Sequence, residues 1–194
     1  PSLLTHGTLV LMSANWFLAL PVPTENWYPK NIPEPPENVR LIRPENLHLT
    51  IAFLGDVGES AAQHAWQENH RFTLAPLDIH LQSIEPFGNP KRPALAATLT
   101  QGKEPIENAI STCRDELLAA AGCPAEKRPA RAHITLARPR RKSTPQELHH
   151  ALHWASGVDL STVSIPLTEI ALYTWSSDDK GFVYKLVERR PLKL

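Results

Sequence analysis

The chain has 194 residues with two cysteines, a single methionine, no net charge and no long apolar run, and each scarcity removes a class of protein. Cys113 and Cys123 are too few and too separate for a disulfide framework or a cysteine zinc site, so a reducing compartment, the cytoplasm, is expected. Twenty Lys and Arg balance 20 Asp and Glu, which excludes a broad, sequence-independent grip on duplex nucleic acid. Any contact with RNA has to be local, at an end or over a short stretch. No apolar run reaches the roughly 18–20 residues that a membrane span needs. The apolar stretch 9–20 has no Lys or Arg ahead of it and is interrupted by Asn15, and its second part, Asn15 to Val22, reads as a first strand. The absence of any 20–50-residue repeat excludes a solenoid. Because the chain opens on Pro and its one Met is Met12, residues 1–11, His6 among them, are expected to be an appended or upstream-translated segment.

Proline, by contrast, is abundant. Nineteen in 194 residues is nearly twice the usual share of about 5%, so many connections must be stiff and non-helical. The run from Pro29 to Asn38 is therefore a loop, and strands are expected over Val39 to Ile42, Leu47 to Leu54, Leu77 to Ile84 and Pro93 to Thr100, with a turn at residues 87–90. Glu59 to Arg71 reads as a helix. Glu104 to Ala121 reads as another, since Ile106, Ala109, Ile110, Cys113, Leu117, Leu118 and Ala121 recur at helical spacing before the stop signal Gly122. This stripe is core, and Cys113 within it is a packing residue. A strand over Ala132 to Arg138 follows. A helix capped by Ser143 or Thr144, with Glu147 as capping partner, then runs to about Ala155. Two strands, Ile165 to Trp175 and Phe182 to Val187, close the chain around a turn at residues 176–181. Strand and helix recur in both halves, which implies one mixed α+β domain over residues 12–194. Its two similar lobes each have a largely antiparallel sheet with helices outside, and a cleft lies between them.

Chemistry concentrates in two short segments, 47–53 (LHLTIAF) and 132–138 (AHITLAR), 85 residues apart. Residues two apart on a strand share a face, so His48 points with Thr50 and His133 with Thr135, while Leu49, Ile51, Ile134 and Leu136 turn into a core. With 24 Ser and Thr in the chain, about one of the nine His should have a hydroxyl two positions on by chance. His6, followed by Thr8, accounts for such a case near the terminus. His48 and His133 differ in lying within alternating, strand-forming runs. Brought face to face, the two segments supply two acid/base groups and two hydroxyl donors around one small anion. Lys127, Arg128, Arg131, Arg138, Arg140, Arg141 and Lys142 flank the second segment, as a solvated loop or as a rim that attracts phosphate.

With these segments in place, the chain resembles the two-histidine phosphoesterase superfamily, and within it the bacterial RNA 2′,3′-cyclic phosphodiesterase, or 2′-5′ RNA ligase, family. The resemblance covers nearly all of residues 14–192. It rests on residues 17–21 (FLALP), 45–55 (ENLHLTIAFLG) and 133–138 (HITLAR), with Leu172, Tyr173, Gly181 and Tyr184 in the closing hairpin. It implies a bilobal, pseudo-twofold fold with both motifs lining a central cleft. It also implies hydrolysis of RNA 2′,3′-cyclic phosphate ends to 2′-phosphomonoesters, with weak 2′-5′ ligation as the reverse reaction. His48 would be the proton donor, His133 the proton acceptor, and Thr50, Thr135 and Arg138 the phosphate contacts, with neither metal nor cofactor. The partner would be an RNA with a cyclic phosphate end or a small cyclic-phosphate nucleotide, and the protein a monomer away from membranes. The residues themselves do not order the two histidine roles, and strict alternation faces Arg138 away from His133.

Other readings remain open at this level. The same motif pair could act on ADP-ribose 1″,2″-cyclic phosphate or on 2′-5′ oligonucleotides, or hold an RNA end without turnover. His149, His150 and His153 offer a zinc-like pair four residues apart, against which stands an exposed helix face with no third ligand nearby. Trp27, Tyr28 and Phe87 are candidate base-stacking residues, weighed against packing over the edge of a core.

Overall fold

A computed structural model describes residues 14–179 and 181–193; the expected appended segment 1–11 and His6 lie outside them. The strands are β1 (Trp16–Pro21), β2 (Val39–Leu41), β3 (His48–Gly55), β4 (Leu77–Phe87), β5 (Ala94–Gln101), β6 (Ile134–Pro139), β7 (Ser164–Leu167), β8 (Glu169–Asp178) and β9 (Gly181–Pro191). The helices are α1 (Glu59–Gln67), α2 (Lys103–Ala120) and α3 (Pro145–Ser156). All named pairings are antiparallel, in two sheets ordered β3-β1-β8-β9 and β2-β6-β5-β4-β7. The run β6-β5-β4-β7 repeats β3-β1-β8-β9, with a motif strand at one end, so the α+β, two-lobed, pseudo-twofold architecture is present. β2 is the one strand without a counterpart, and it pairs with the outer edge of β6. α2 packs on β3 and α3 on β4, while β3 and β6 meet where the sheets adjoin.

Local sequence explains most elements. The apolar stripe of α2 is buried from Ile106 to Leu118, and its Cys113 sits in the core with its thiol pushed up to about 12 by burial. Thr144 caps α3 through a complete capping box with Glu147, which satisfies two otherwise orphaned N–H groups. β1 is apolar on both faces: Trp16, Leu18 and Leu20 enter the main core, while Phe17 and Ala19 join Ala171 and Tyr173 on the opposite face.

Several boundaries differ from the sequence reading. The turn expected at residues 176–181 is shorter, because β8 runs on to Asp178 and β9 spans Gly181–Pro191, their cross-strand pairing extending both strands. The expected strand from Ile165 to Trp175 is two strands that change sheets at Thr168, β7 pairing with β4 and β8 with β1. Alternation reports which face a residue takes and not which strand it pairs with, so the break was invisible. The helix expected to reach Arg71 ends at Gln67 and tightens into a 3₁₀ turn over Glu68–Arg71. β4 runs on to Phe87, so the turn begins at Gly88. His133 lies one residue ahead of β6 instead of inside it.

Each motif strand also carries an extra residue just after its threonine, and β3 has a second, Leu54, beyond Phe53. Ala19 pairs with Thr50 but Leu18 with Ala52, and Ala96 pairs with Thr135 but Leu95 with Ala137. Ile51 and Leu136 are thus inserted, and both residues of each bulge, Ile51 with Ala52 and Leu136 with Ala137, are buried. A bulge inverts the alternation beyond it. At the β6 bulge, the Leu136 carbonyl accepts from the Ile42 N–H at 2.8 Å and from the Tyr28 hydroxyl at 3.2 Å. The hydroxyl's single proton is shared with the Ile42 carbonyl, the nearer of the two acceptors. Leaving buried carbonyls short of a donor costs about 1–3 kcal/mol, and each kcal/mol shifts the melting temperature of a chain this size by roughly 2–4 °C. Tyr28→Phe should therefore melt roughly 2–12 °C below wild type in calorimetry, and an unchanged melting point would show that the hydroxyl does not support the bulge.

Candidate active site

Both histidines are oriented alike. The ring Nδ1 of His48 donates to the carbonyl of Asn46 at 2.8 Å, and that of His133 to the carbonyl of Arg131 at 2.7 Å. A carbonyl can only accept, so each neutral imidazole carries its proton on Nδ1 and presents Nε2 as the free base. Asn46 is held in turn, since its side chain accepts from the Tyr184 N–H at 2.8 Å and donates to the Phe182 carbonyl. This ties the β8–β9 hairpin to the first motif. Arg43 adds a bidentate pair to Asp178 at 2.7 and 2.8 Å on the same hairpin.

Rings pack around each imidazole. Phe17 lies 4.7 Å from His48 between centroids, and Tyr184 meets it edge-on at 5.1 Å. On the other side Phe87 stacks on His133 at 4.4 Å and 15°, with the Arg131 guanidinium 4.5 Å from the Phe87 ring centroid. The sequence reading of Phe87 as a base-stacking residue is thereby corrected, because it packs on His133. Trp27 and Tyr28 are buried, Trp27 donating its indole N–H to the Pro23 carbonyl at 2.8 Å, so neither is a stacking platform.

His48, Thr50, His133, Thr135 and Arg138 all line one cavity of about 330 Å³, together with Phe17, Ile42, Asn46, Phe53, Trp175 and Tyr184. Thr50 and Thr135 each face an alanine, Ala19 and Ala96, across the pairing strand. Those small side chains leave the hydroxyls above a recessed floor. Among the described residues neither hydroxyl has a hydrogen-bond partner, so both are available to a ligand. The alternation argument against Arg138 fails because of the bulge at Leu136, which returns Arg138 to the face of Thr135. The bulge at Ile51 does the same for Phe53, which stands five residues after His48 as Arg138 stands five after His133. Phe53 is 55% exposed, unusual for so large an apolar ring, and sequence reading passed over it. The matching offset was the signal that could have found it.

Electrostatics in the cavity disfavour added positive charge. His48 is lowered to about 4, chiefly by burial and further by the charges of His133 and Arg138, against the opposing hydrogen bond to Asn46. His133 is lowered by burial and by Arg131 and Arg138. Both shifts favour the neutral imidazole, and an anion placed beside either ring would oppose them.

Other candidates fall elsewhere. His149 and His150 sit on exposed α3 positions with ring centroids 6.4 Å apart, and among the described residues no group of three His, Cys, Asp or Glu is placed to hold a metal. The basic run divides: Arg128 pairs with Glu126, Arg131 stacks on Phe87, and Arg138, Arg140 and Arg141 line a groove. Among the described residues no helix is long and apolar enough to cross a membrane.

Comparison with known proteins shows a partial family match and a shared fold. Over residues 30–95 the chain matches the model of the family described as LigT like phosphoesterase. A 55-residue stretch, 28% of this chain, is 36% identical to the RNA 2′,3′-cyclic phosphodiesterase of Archaeoglobus fulgidus. The match spans about a third, 31%, of that relative's length. Escherichia coli LigT complexed with 3′-AMP superposes with a TM-score of 0.67 at 24% identity, covering 93% of this chain and 98% of the other. The protein TT0787 of Thermus thermophilus does so with 0.67 at 24% identity, covering 92% and 98%. The chain is thus similar to LigT in its whole fold, and residues 30–95, which carry the first motif, are similar to the LigT like phosphoesterase family.

The lowered His48 has a consequence for stability. Its folded value lies below the ordinary one of about 6.5, so the folded state binds fewer protons than the unfolded chain. The associated stability is complete above about pH 6.5 and is lost as pH falls toward about 4, on the order of 3 kcal/mol in all. His48→Gln should accordingly lose less stability than wild type between about pH 7 and 4.5 in urea titrations, and equal acid losses would contradict the burial of a neutral ring.

Proposed function

We propose that this chain hydrolyses the 2′,3′-cyclic phosphate of an RNA end to a 2′-phosphomonoester. The observation that carries the reading is the single cavity lined by two histidines, by two threonines whose hydroxyls have no hydrogen-bond partner among the described residues, and by one arginine. The match to a phosphoesterase family and to a stretch of a relative named for this activity supports it.

In this reaction water attacks phosphorus and the P–O3′ bond breaks. His133 takes the proton from water, and His48 gives its proton to the departing O3′, so the net proton count is unchanged. A buried imidazole of low pKa is a strong acid, and the substrate's own anion loads it with the proton that it then delivers. Protonated His48 also meets the aromatic rings of Phe17 and Tyr184, which attract cations. Thr50, Thr135 and Arg138 donate to the non-bridging oxygens as charge grows on them, the guanidinium with charge-assisted hydrogen bonds. Phe53, at the opposite wall from Arg138, offers a flat apolar face on which an unpaired base can stack. The same groups used in reverse order would join a cyclic end to a 5′-hydroxyl, as weak 2′-5′ ligation. Every proton has a protein donor or acceptor in this scheme, so turnover should survive EDTA.

Replacing His48 or His133 with Ala should lower turnover of an RNA cyclic end at least about 100-fold, with the retained phosphate found on the 2′-oxygen. Near wild-type turnover in either variant would refute the assignment, and a 3′-phosphate product would mean that O2′ is the leaving group. For Phe53→Ala, a stacked base worth about 1–3 kcal/mol predicts a KM at least about fivefold higher with kcat largely kept. An unchanged KM would remove Phe53 from the base site.

A further inference from the structure

Beside the catalytic cavity lies a larger groove of about 630 Å³, and its lining includes Arg40, Arg92, Arg138, Arg140 and Arg141. Arg138 lines both cavities, so the two adjoin at this side chain. Arg40 is the direct cross-strand partner of Arg138 in the β2–β6 pairing, and directly opposed residues share a face. Two like charges in that relation cost stability unless an anion lies between them. β2, which supplies Arg40, is also the strand without a counterpart in the other lobe.

Counter-charges from the protein are scarce here. Elsewhere Arg43, Arg71 and Arg128 each bond a carboxylate two or three residues away. Among the described residues the side chains of Arg40, Arg92, Arg138 and Arg141 make neither ion pair nor hydrogen bond, and Arg140 reaches Glu37 only at 3.9 Å. A chain with no net charge thus gathers five guanidiniums in one groove that adjoins the candidate site at Arg138.

We propose that this groove binds the sugar-phosphate backbone of a single RNA strand, holding the phosphodiesters that precede the terminal nucleotide. The inference rests on the proposed function and extends it, since the preferred substrate becomes a polynucleotide end and not a cyclic mononucleotide. A lone terminal phosphate is served by Arg138. The remaining four guanidiniums suit a series of anions, each able to take bidentate hydrogen bonds from a planar fork.

The test is the triple substitution Arg40→Gln, Arg92→Gln, Arg141→Gln, which keeps Arg138. Two measurements are made on it and on wild type. The first is kcat/KM for a cyclic mononucleotide and for a five-nucleotide RNA with a 2′,3′-cyclic phosphate. The second is fluorescence anisotropy with the same RNA ending in a 2′-phosphate, over a range of salt. The ratio of oligonucleotide to mononucleotide kcat/KM should fall at least about tenfold in the triple variant, and the slope of log affinity against log salt should shrink by about 0.7 for each phosphate no longer neutralised. An unchanged ratio, or a parallel fall for both substrates, overturns the proposal. If wild type turns over neither substrate, the catalytic reading fails and anisotropy alone judges the groove. Weaker binding by the triple variant supports the groove, and equal binding refutes it.

Discussion

The site depends on the residue inserted after the threonine of each motif strand. An unbroken strand would send the fifth residue after each histidine to the core face, and the cavity would lose its arginine and its exposed phenylalanine together. Ile51 and Leu136 invert the alternation, so each motif delivers three side chains to one surface from a six-residue segment. The bulge in β6 is held by hydrogen bonds from Ile42 and Tyr28. A buried tyrosine far along the chain is therefore part of what aims Arg138 at the ligand.

Around that framework the two lobes repeat one construction. A carbonyl two residues upstream orients each imidazole, an alanine on the neighbouring strand recesses the floor beneath each threonine, and an aromatic ring packs on each histidine. Such packing excludes water from the rings and favours their neutral form. The cost is acid sensitivity, since a protein that buries neutral histidines must lose stability where those histidines take up protons.

Superimposed on the repeat is an asymmetry that gives a ligand direction. Phe53 occupies on one lobe the place that Arg138 occupies on the other, so one wall suits a flat apolar group and the opposite wall an oxyanion. β2 exaggerates the difference by placing Arg40 against Arg138. A strictly twofold site would bind a symmetric anion equally in two orientations. This one offers an asymmetric ligand an aromatic side chain from one lobe and a cation from the other.

Much of this was readable from residue order alone: period-two runs marked the motif strands, helical spacing marked α2, and Thr144 with Glu147 marked the start of α3. The pairing of His48 with Thr50 and His133 with Thr135 followed from the same periodicity, because which side chains share a face is a property of the local backbone. What strand alternation could not supply was anything set by a partner strand. The bulges are defined only by the register of β3 against β1 and of β6 against β5, and the break at Thr168 only by β7 and β8 joining different sheets. The burial of Tyr28 and the stacking of Phe87 on His133 likewise come from segments distant in the chain. The sequence by itself determined the chemical groups and the face each takes within its own strand. Only the tertiary structure decided that Arg138 and Phe53 turn to the site and that Arg40 stands against Arg138, because pairing register is an agreement between two strands and neither strand encodes it alone.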